Sequence, residues 1–244
     1  MYLDKKYLHY SISSLALKAK AIKEVFASPS IWSRVIRQNK LNHSKKRIYP
    51  ARPRVGIRAE RVGQIWHLDQ SIMRLQDGSR GYVQAITDNY SRYVLAWKVT
   101  SEYGGMHTKE LIEQALKKAS QLGMKLTPNI FVDSGSENIN QHVDDLIAEN
   151  KITRTIAGIE IDFSNSMVES LFHRIKNRHL YFVALKDLEA LQREADFIIN
   201  EFNDHVPHSA LGGATPLQVA SGSWSDRETN NLKESTQIAR KQRI

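Results

Sequence analysis

The sequence predicts an α/β protein, a mixed sheet flanked by helices, preceded by a small all-helical basic module. Three observations carry this expectation. From residue 64 onward, β-rich apolar runs and helix-periodic stretches follow the order three strands, helix, strand, helix, strand, helix. The second and third strands flank a polar turn, as a hairpin does. Charge is also segregated. Residues 1–62 hold 15 Lys and Arg against 3 Asp and Glu, a balance of +12, whereas the remainder holds 20 against 23, or −3. A basic excess confined to one end suggests a module that meets a polyanion.

Taken in order, residues 11–26 read as a helix with Leu15, Ile22, Val25 and Phe26 on its apolar side. Ser28 is a good N-cap and Pro29 suits the first helical position. A second helix over 29–39 is therefore expected to bury Trp32, Val35 and Ile36 and to present Arg34, Arg37 and Lys40. Two short helices about a turn fit a helix-turn-helix, here over residues 1–43, whose second helix enters a major groove. Residues 44–63 carry Lys45, Lys46 and Arg47, then Pro50, Pro53 and Gly56 among further arginines. They read as an extended basic linker suited to phosphate contact.

A core over 64–185 follows. The run Ile65-Trp66-His67-Leu68-Asp69-Gln70-Ser71 holds one acid, and an acid within a strand is disfavoured unless it lies on a wet face or in a site. His67 is read as structural, pointing to the sheet face opposite Asp69. In the hairpin, Asp88 is expected to pin the turn. A helix over 106–122 ends at Gly123. Ile130-Phe131-Val132 then delivers Asp133 into a turn at Gly135, where a carboxylate is well placed to hold a cation. Glu137 and Asn138 follow, to orient ligands from behind or to cap the next helix, near 140–149. After a strand at 152–156, the helix opening at Ser166-Met167-Val168-Glu169 buries Val168, Leu171, Phe172 and Ile175 and leaves Glu169, His173 and Lys176 on its other stripe. Ser166 to Glu169 is also a capping-box pattern, so a purely structural Glu169 stands beside the functional one. Asn165 is read as a cap. Residues 186–221 hold a further long helix and a closing segment, and 222–244 read as a polar basic tail, disordered or frayed.

The three acids Asp69, Asp133 and Glu169, with Lys176 seven positions on, resemble the DDE signature of insertion-sequence transposases and retroviral integrases. Trp66-His67-Leu68-Asp69, Asp88-Asn89-Tyr90-Ser91-Arg92 and Asn165-Ser166-Met167-Val168-Glu169 resemble the bacterial insertion-sequence members most. The resemblance covers roughly residues 11–220. It implies a ribonuclease-H-like core in which the acids converge across the sheet and one helix. It also implies another helix before the first two, for which Tyr2 to Tyr10 is hardly long enough, so a truncated module is expected. The closing segment from Asn203 to Thr215-Pro216 departs from the family pattern at Val206, where an arginine is usual.

By resemblance, the acids hold two Mg2+ ions, with Mn2+ as a substitute, for cleavage of DNA ends and strand transfer to target DNA. Carboxylate oxygens suit these hard cations, and paired ions roughly 3.5–4 Å apart serve in-line phosphoryl displacement. Asn138 would support Asp133, and Lys176 with Arg34, Arg37, Lys40, Lys45, Lys46 and Arg47 would contact DNA. Two alternatives stay open: a catalytically inactive remnant that binds ends or represses, and a nuclease of the same fold. Synapsis of two ends implies a homo-oligomer on DNA. The absence of Cys excludes disulfides, thiolate metal sites and a Cys nucleophile. Lysines interrupt the first thirty residues and no apolar run nears the ~18 residues of a membrane span, so a cytoplasmic protein without membrane contact is expected.

Overall fold

The computed structural model describes residues 1–7, 10–41, 57–124, 127–157 and 166–241. The chain divides into two compact units, Met1–Arg54 and Val55–Ile244.

In the first unit a 3-10 turn at Lys5–Tyr7 precedes α1 (Ile12–Ala21) and α2 (Pro29–Gln38). Ser11 and Ser28 cap them, accepting from the backbone N–H of Ser14 at 3.0 Å and of Ile31 at 3.4 Å. The first helix is shorter than its apolar residues suggest. It stops at Ala21, Lys23 turns left-handed at φ +60°, and Ile22, Val25 and Phe26 are exposed. Of the expected residues only Leu15 is buried, together with Ala16 and Ala19, whose small side chains let a neighbour approach closely. In α2 only Ile36 is fully buried and Val35 is exposed, while Arg34, Arg37 and Lys40 face outward. Lys45, Lys46 and Arg47 lie outside the described residues.

In the second unit the elements are β1 (Ile65–Arg74), β2 (Arg80–Asp88), β3 (Val94–Thr100), α3 (Gly105–Gln121), β4 (Asn129–Val132), α4 (Gln141–Asn150), β5 (Thr153–Ile156), α5 (Ser166–Arg178), α6 (Leu188–Asp204), α7 (Pro216–Ala220) and α8 (Asp226–Lys241). The sheet order is β3-β2-β1-β4-β5. β1, β2 and β3 form an antiparallel meander, and β4 and β5 add in parallel beside β1. Helical crossovers supply those parallel connections, as they must.

Each face of this sheet has its own core. Trp66, Leu68, Ile86, Ile130 and Val132 pack with Leu111, Ile112 and Ala115 of α3 and Val143 and Leu146 of α4. On the other face Met73, Val83 and Ala85 pack with Val168, Leu171, Phe172 and Ile175 of α5 and with Leu191, Ile199 and Phe202 of α6. The alternation along β1 thus sends Trp66 and Leu68 one way and Asp69, Ser71 and Met73 the other. Because α6 completes the second core, it is integral to this unit. Asn203 strengthens that union. Its amide oxygen accepts from Val94 N at 2.8 Å and its amide nitrogen donates to Val94 O at 3.0 Å, beside an irregularity in the β2–β3 register.

Asp88 and Asn89 tie the incoming chain to the hairpin. The fully buried Asp88 accepts from Gly63 N at 2.8 Å, Ser91 N at 2.7 Å and Ser91 Oγ at 2.6 Å. Asn89 accepts from Ala59 N at 2.8 Å and donates to Ile57 O at 3.2 Å. Ala59 is buried and Val62 packs against the core. Residues 57–63 are therefore part of this unit, which shortens the expected linker. The expectation of a frayed tail also fails, because residues 226–241 are helical. A start at Ser225, whose N–H donates to Glu228 at 2.9 Å, and a Leu232 side chain over Gly213 hold that helix.

Asp88→Ala would leave two buried N–H groups and a hydroxyl without their acceptor, and it should lower stability by about 2–4 kcal/mol, read as a fall in denaturant midpoint at unchanged slope.

Candidate active site

Asp69 sits mid-strand in β1, opposite Ala85, on the face that α5 covers. Its Oδ1 accepts from the N–H of Gln70 at 2.7 Å. His67 shares this face, contrary to expectation, because residues two apart in a strand must point the same way. It is still structural: 4 % exposed, with Nε2 at 2.8 Å from Asn89 Nδ2 and its ring edge-on to Phe131.

Asp133 leaves the end of β4 and is exposed. One of its oxygens meets the amide nitrogen of Asn138 at 2.5 Å and the N–H of Gly135 at 3.3 Å. Asn138 is 1 % exposed, so it holds Asp133 from the protein interior. The turn that follows is held from both sides. Arg154 donates to Asn138 O at 2.9 Å and pairs with Asp144 at 2.7 Å. Asn140 donates to Ser136 O and Glu137 O while capping α4 through Val143 N at 3.2 Å.

Glu169 lies exposed in the first turn of α5, anchored by the fully buried Val168 beside it. Asn165 lies outside the described residues. Lys176, two turns on, reaches the carbonyl of Ile72 in β1 at 3.2 Å. Burial draws its ammonium below the usual lysine range, and the charge of Asp69 opposes that shift. Asp69 and Lys176 are thus within each other's field.

The electrostatics link the acids. Burial pushes the Asp69 carboxyl up to about 6; the Gln70 N–H pulls it down, and the charges of Asp133, Glu169 and Glu137 raise it further. Four carboxylates therefore share one field, one more than the motif predicts. The fourth, Glu137, is 7 % exposed and accepts from Gln70 Nε2 at 3.2 Å. A Cβ on Gly135 would stand 2.5 Å from both Glu137 carboxylate oxygens, so a side chain there would have to push the Glu137 carboxylate aside. The sequence marks Glu137 as a residue to orient ligands or cap the next helix, but its burial carries no local signal, since an acid in a polar turn looks like a solvated residue.

Among the described residues no group of three His, Cys, Asp or Glu side chains is arranged as a metal-holding set. The donor chemistry nevertheless fits a hard cation. Three neighbouring acids raise the proton affinity of Asp69, and Gln70 and Asn138, having spent their amide nitrogens on Glu137 and Asp133, keep buried amide oxygens with no hydrogen-bond partner. Orphaned acceptors beside mutually repelling carboxylates are what a divalent cation and its water would relieve.

A mixed five-stranded sheet, with an acid on its central strand, an acid at the end of the neighbouring parallel strand and an acid on a helix across the face, defines the ribonuclease-H-like class. Two family models, each described as an integrase core domain, match residues 59–158 and 163–216, together more than half of the chain, and the chain belongs to this family of DDE transposases and integrases. A transposase for insertion sequence element IS986/IS6110 of Mycobacterium tuberculosis is 22% identical over 172 residues, which cover 68% of this chain and 60% of that protein. The chain thus spans about three fifths of the length of the curated relatives it matches. The HTLV-2 integrase catalytic core domain, solved in complex with magnesium, superposes with a TM-score of 0.51 at 19% identity, over 67% of this chain and 99% of that one. A chain of a simian T-cell lymphotropic virus intasome gives 0.55 at 15%, over 86% and 74%. These structures share the fold. Among the described residues no helix is long and apolar enough to cross a membrane.

The raised Asp69 carboxyl has a measurable cost. A group whose folded value exceeds its unfolded one, about 6 against 3.8, stabilises the fold most when protonated, and that advantage is lost as pH rises between those values. In EDTA, Asp69→Asn should therefore be more stable than the parent at pH 8 by roughly 1–3 kcal/mol, with the gain vanishing below about pH 4. Thermal melts across that range read it directly.

Proposed function

We propose that this chain is a DNA-cutting and DNA-joining enzyme, a transposase that cleaves element ends and transfers them to target DNA. The observation that supports the proposal is the field that Asp133, at the end of β4, and Glu169, on α5, exert on Asp69 of β1. The family membership and the orphaned amide oxygens support it.

Asp69, Asp133 and Glu169 are the residues to hold Mg2+ or Mn2+. Bound there, the cations would activate the attacking oxygen and stabilise the leaving one. The protein's own work is positional. Asp69 is fixed by the sheet and Glu169 by the buried seam of α5, so the distance between them is set by the second core. Asn138 holds Asp133 in one rotamer, and the Arg154 and Asn140 contacts keep its turn from swinging away. Lys176, in the field of Asp69, is placed to take a phosphate oxygen in exchange for the Ile72 carbonyl. Water would serve as nucleophile for end cleavage and the freed 3′-hydroxyl for joining. Arg34, Arg37 and Lys40 on and beside α2 supply phosphate and groove contacts from the basic N-terminal unit. Joining two ends calls for at least two copies on DNA.

The decisive experiment uses the full chain, Mg2+ or Mn2+, and DNA from the boundaries of the element that encodes it. Joined product is expected from the parent chain. Glu169→Gln should lose both cleavage and joining while keeping end binding, measured by gel shift. Unchanged activity in that variant would return Glu169 to a capping role and remove the assignment of the acids. End binding without chemistry in the parent would mark a remnant, and cleavage without joining a nuclease.

A further inference from the structure

We propose that the free edge of β1 beyond the acids seats an unpaired DNA strand, with Tyr181 and Phe182 as its stacking platform. The proposal rests on the reading that the chain acts on DNA and adds to it a place and a mode of contact.

The first observation is topological. β4 pairs with β1 only at Ile65, Trp66 and His67. From Gln70 to Arg74, no strand among the described residues pairs with β1 on that side. A bare strand edge needs a cover or an occupant. Lys176 takes one carbonyl of it, that of Ile72, and Ile72 itself is 48 % exposed.

The second is a groove of about 430 Å³ along this edge, lined by Ile72, Met73 and Arg74 of β1 and by Leu180, Tyr181 and Val183 just after α5. Its floor is rigid. Leu180 is 2 % exposed, the N–H of Phe182 donates to His179 O at 2.8 Å, and Gln76 N and Asp77 N bond to Leu185 O and Lys186 O at 2.9 and 3.1 Å. On this anchored 3-10 turn Tyr181 is 60 % and Phe182 79 % exposed. Two large rings held out by a fixed turn beside a groove suit a flat apolar partner.

The third is charge. Arg74 lines the groove, Lys176 stands at its wall, and Arg178 is exposed in the last turn of α5; no Asp or Glu is among the lining residues. Rings with cations along a groove match the two faces of a nucleotide, base and phosphate, which is how single strands are held without sequence readout. A second copy of this chain fits less well, because a symmetric contact here would bring the same cations toward one another. The groove also leads to the chemistry: Ile72 is three residues along β1 from Asp69. A strand seated on Tyr181 and Phe182 would therefore run toward the acids.

The test uses the full chain in EDTA, so that binding is read without cleavage. Two probes are compared: a duplex with a short single-stranded 3′ tail carrying 2-aminopurine, and the same duplex with blunt ends. Tail binding should change the 2-aminopurine fluorescence. The Tyr181→Ala, Phe182→Ala double variant should bind the tailed probe ~10-fold or more weakly and the blunt probe within about twofold of the parent. Phe182→Ala alone, at so exposed a position, and Tyr181→Phe, which keeps the ring, control for folding; the first should show part of the loss and the second none. Equal loss on both probes, or no loss on either, would overturn the proposal. So would unchanged DNA affinity together with a shift from dimer to monomer in sedimentation, which would assign the surface to a second copy. If Glu169-dependent joining persists while the tail effect is absent, the groove alone is wrong. If the parent binds neither probe, the transposase reading falls with it.

Discussion

Repulsion between the half-buried Asp69 carboxylate and the acids around it is the constraint on which this structure turns. Asp69 occupies the strand that is central to the sheet, where burial alone disfavours its charge, and three more acids stand in its field. Such an arrangement survives only where the scaffold is stiff enough to refuse the obvious relief of moving apart. The stiffness comes from the strand itself. β1 pairs with β2 residue by residue from Trp66 to Arg74, and both of its faces rest on closed apolar cores. The flanking Trp66 and Leu68 are almost wholly buried, so the acid cannot rotate outward without uncovering them.

Polar side chains do the remaining work where apolar packing cannot reach. Asp88 and Asn89 fasten the incoming segment to the hairpin, Asn203 clasps β3 at Val94, and Asn138 with Arg154 fastens the Asp133 turn. Each of these groups spends its hydrogen bonds on backbone or on a neighbouring acid, which fixes loops that have little core of their own. The division of labour separates the acids by mobility. Asp69 and Glu169 belong to the packed layers, whereas Asp133 rides on a turn governed by side-chain hydrogen bonds.

Much of this was legible in the residues. Alternation and helical spacing marked the strands and helices from β1 to α6 in order, because a two-faced core imposes both periods on the chain. The acids stood out because a carboxylate in an apolar run needs a reason. Other features were not legible. The early end of α1 depends on a left-handed Lys23, which no periodicity announces. The burial of Ala59 depends on Asn89, thirty residues away, and the burial of Glu137 on Gln70, sixty-seven residues away. The helix at 226–241 was hidden by a polar composition that leaves most of its surface exposed, and its local anchors at Ser225 and Leu232 are single residues. Long-range polar contacts of this kind carry no local signature.

The packing of Gly135 against the Glu137 carboxylate has a consequence for how this sequence can vary. With the Glu137 carboxylate where it stands, a Cβ at 135 would press on its oxygens and displace them. The two positions are therefore coupled: a side chain at 135 is accommodated when the Glu137 carboxylate swings away or 137 shortens, and either change gives up the Gln70 contact. Because the Glu137 carboxylate also contributes to the charge around Asp69, that steric coupling ties the shape of a surface turn to the electrostatic balance of the acids, and a drift at one neutral-looking position would retune the other.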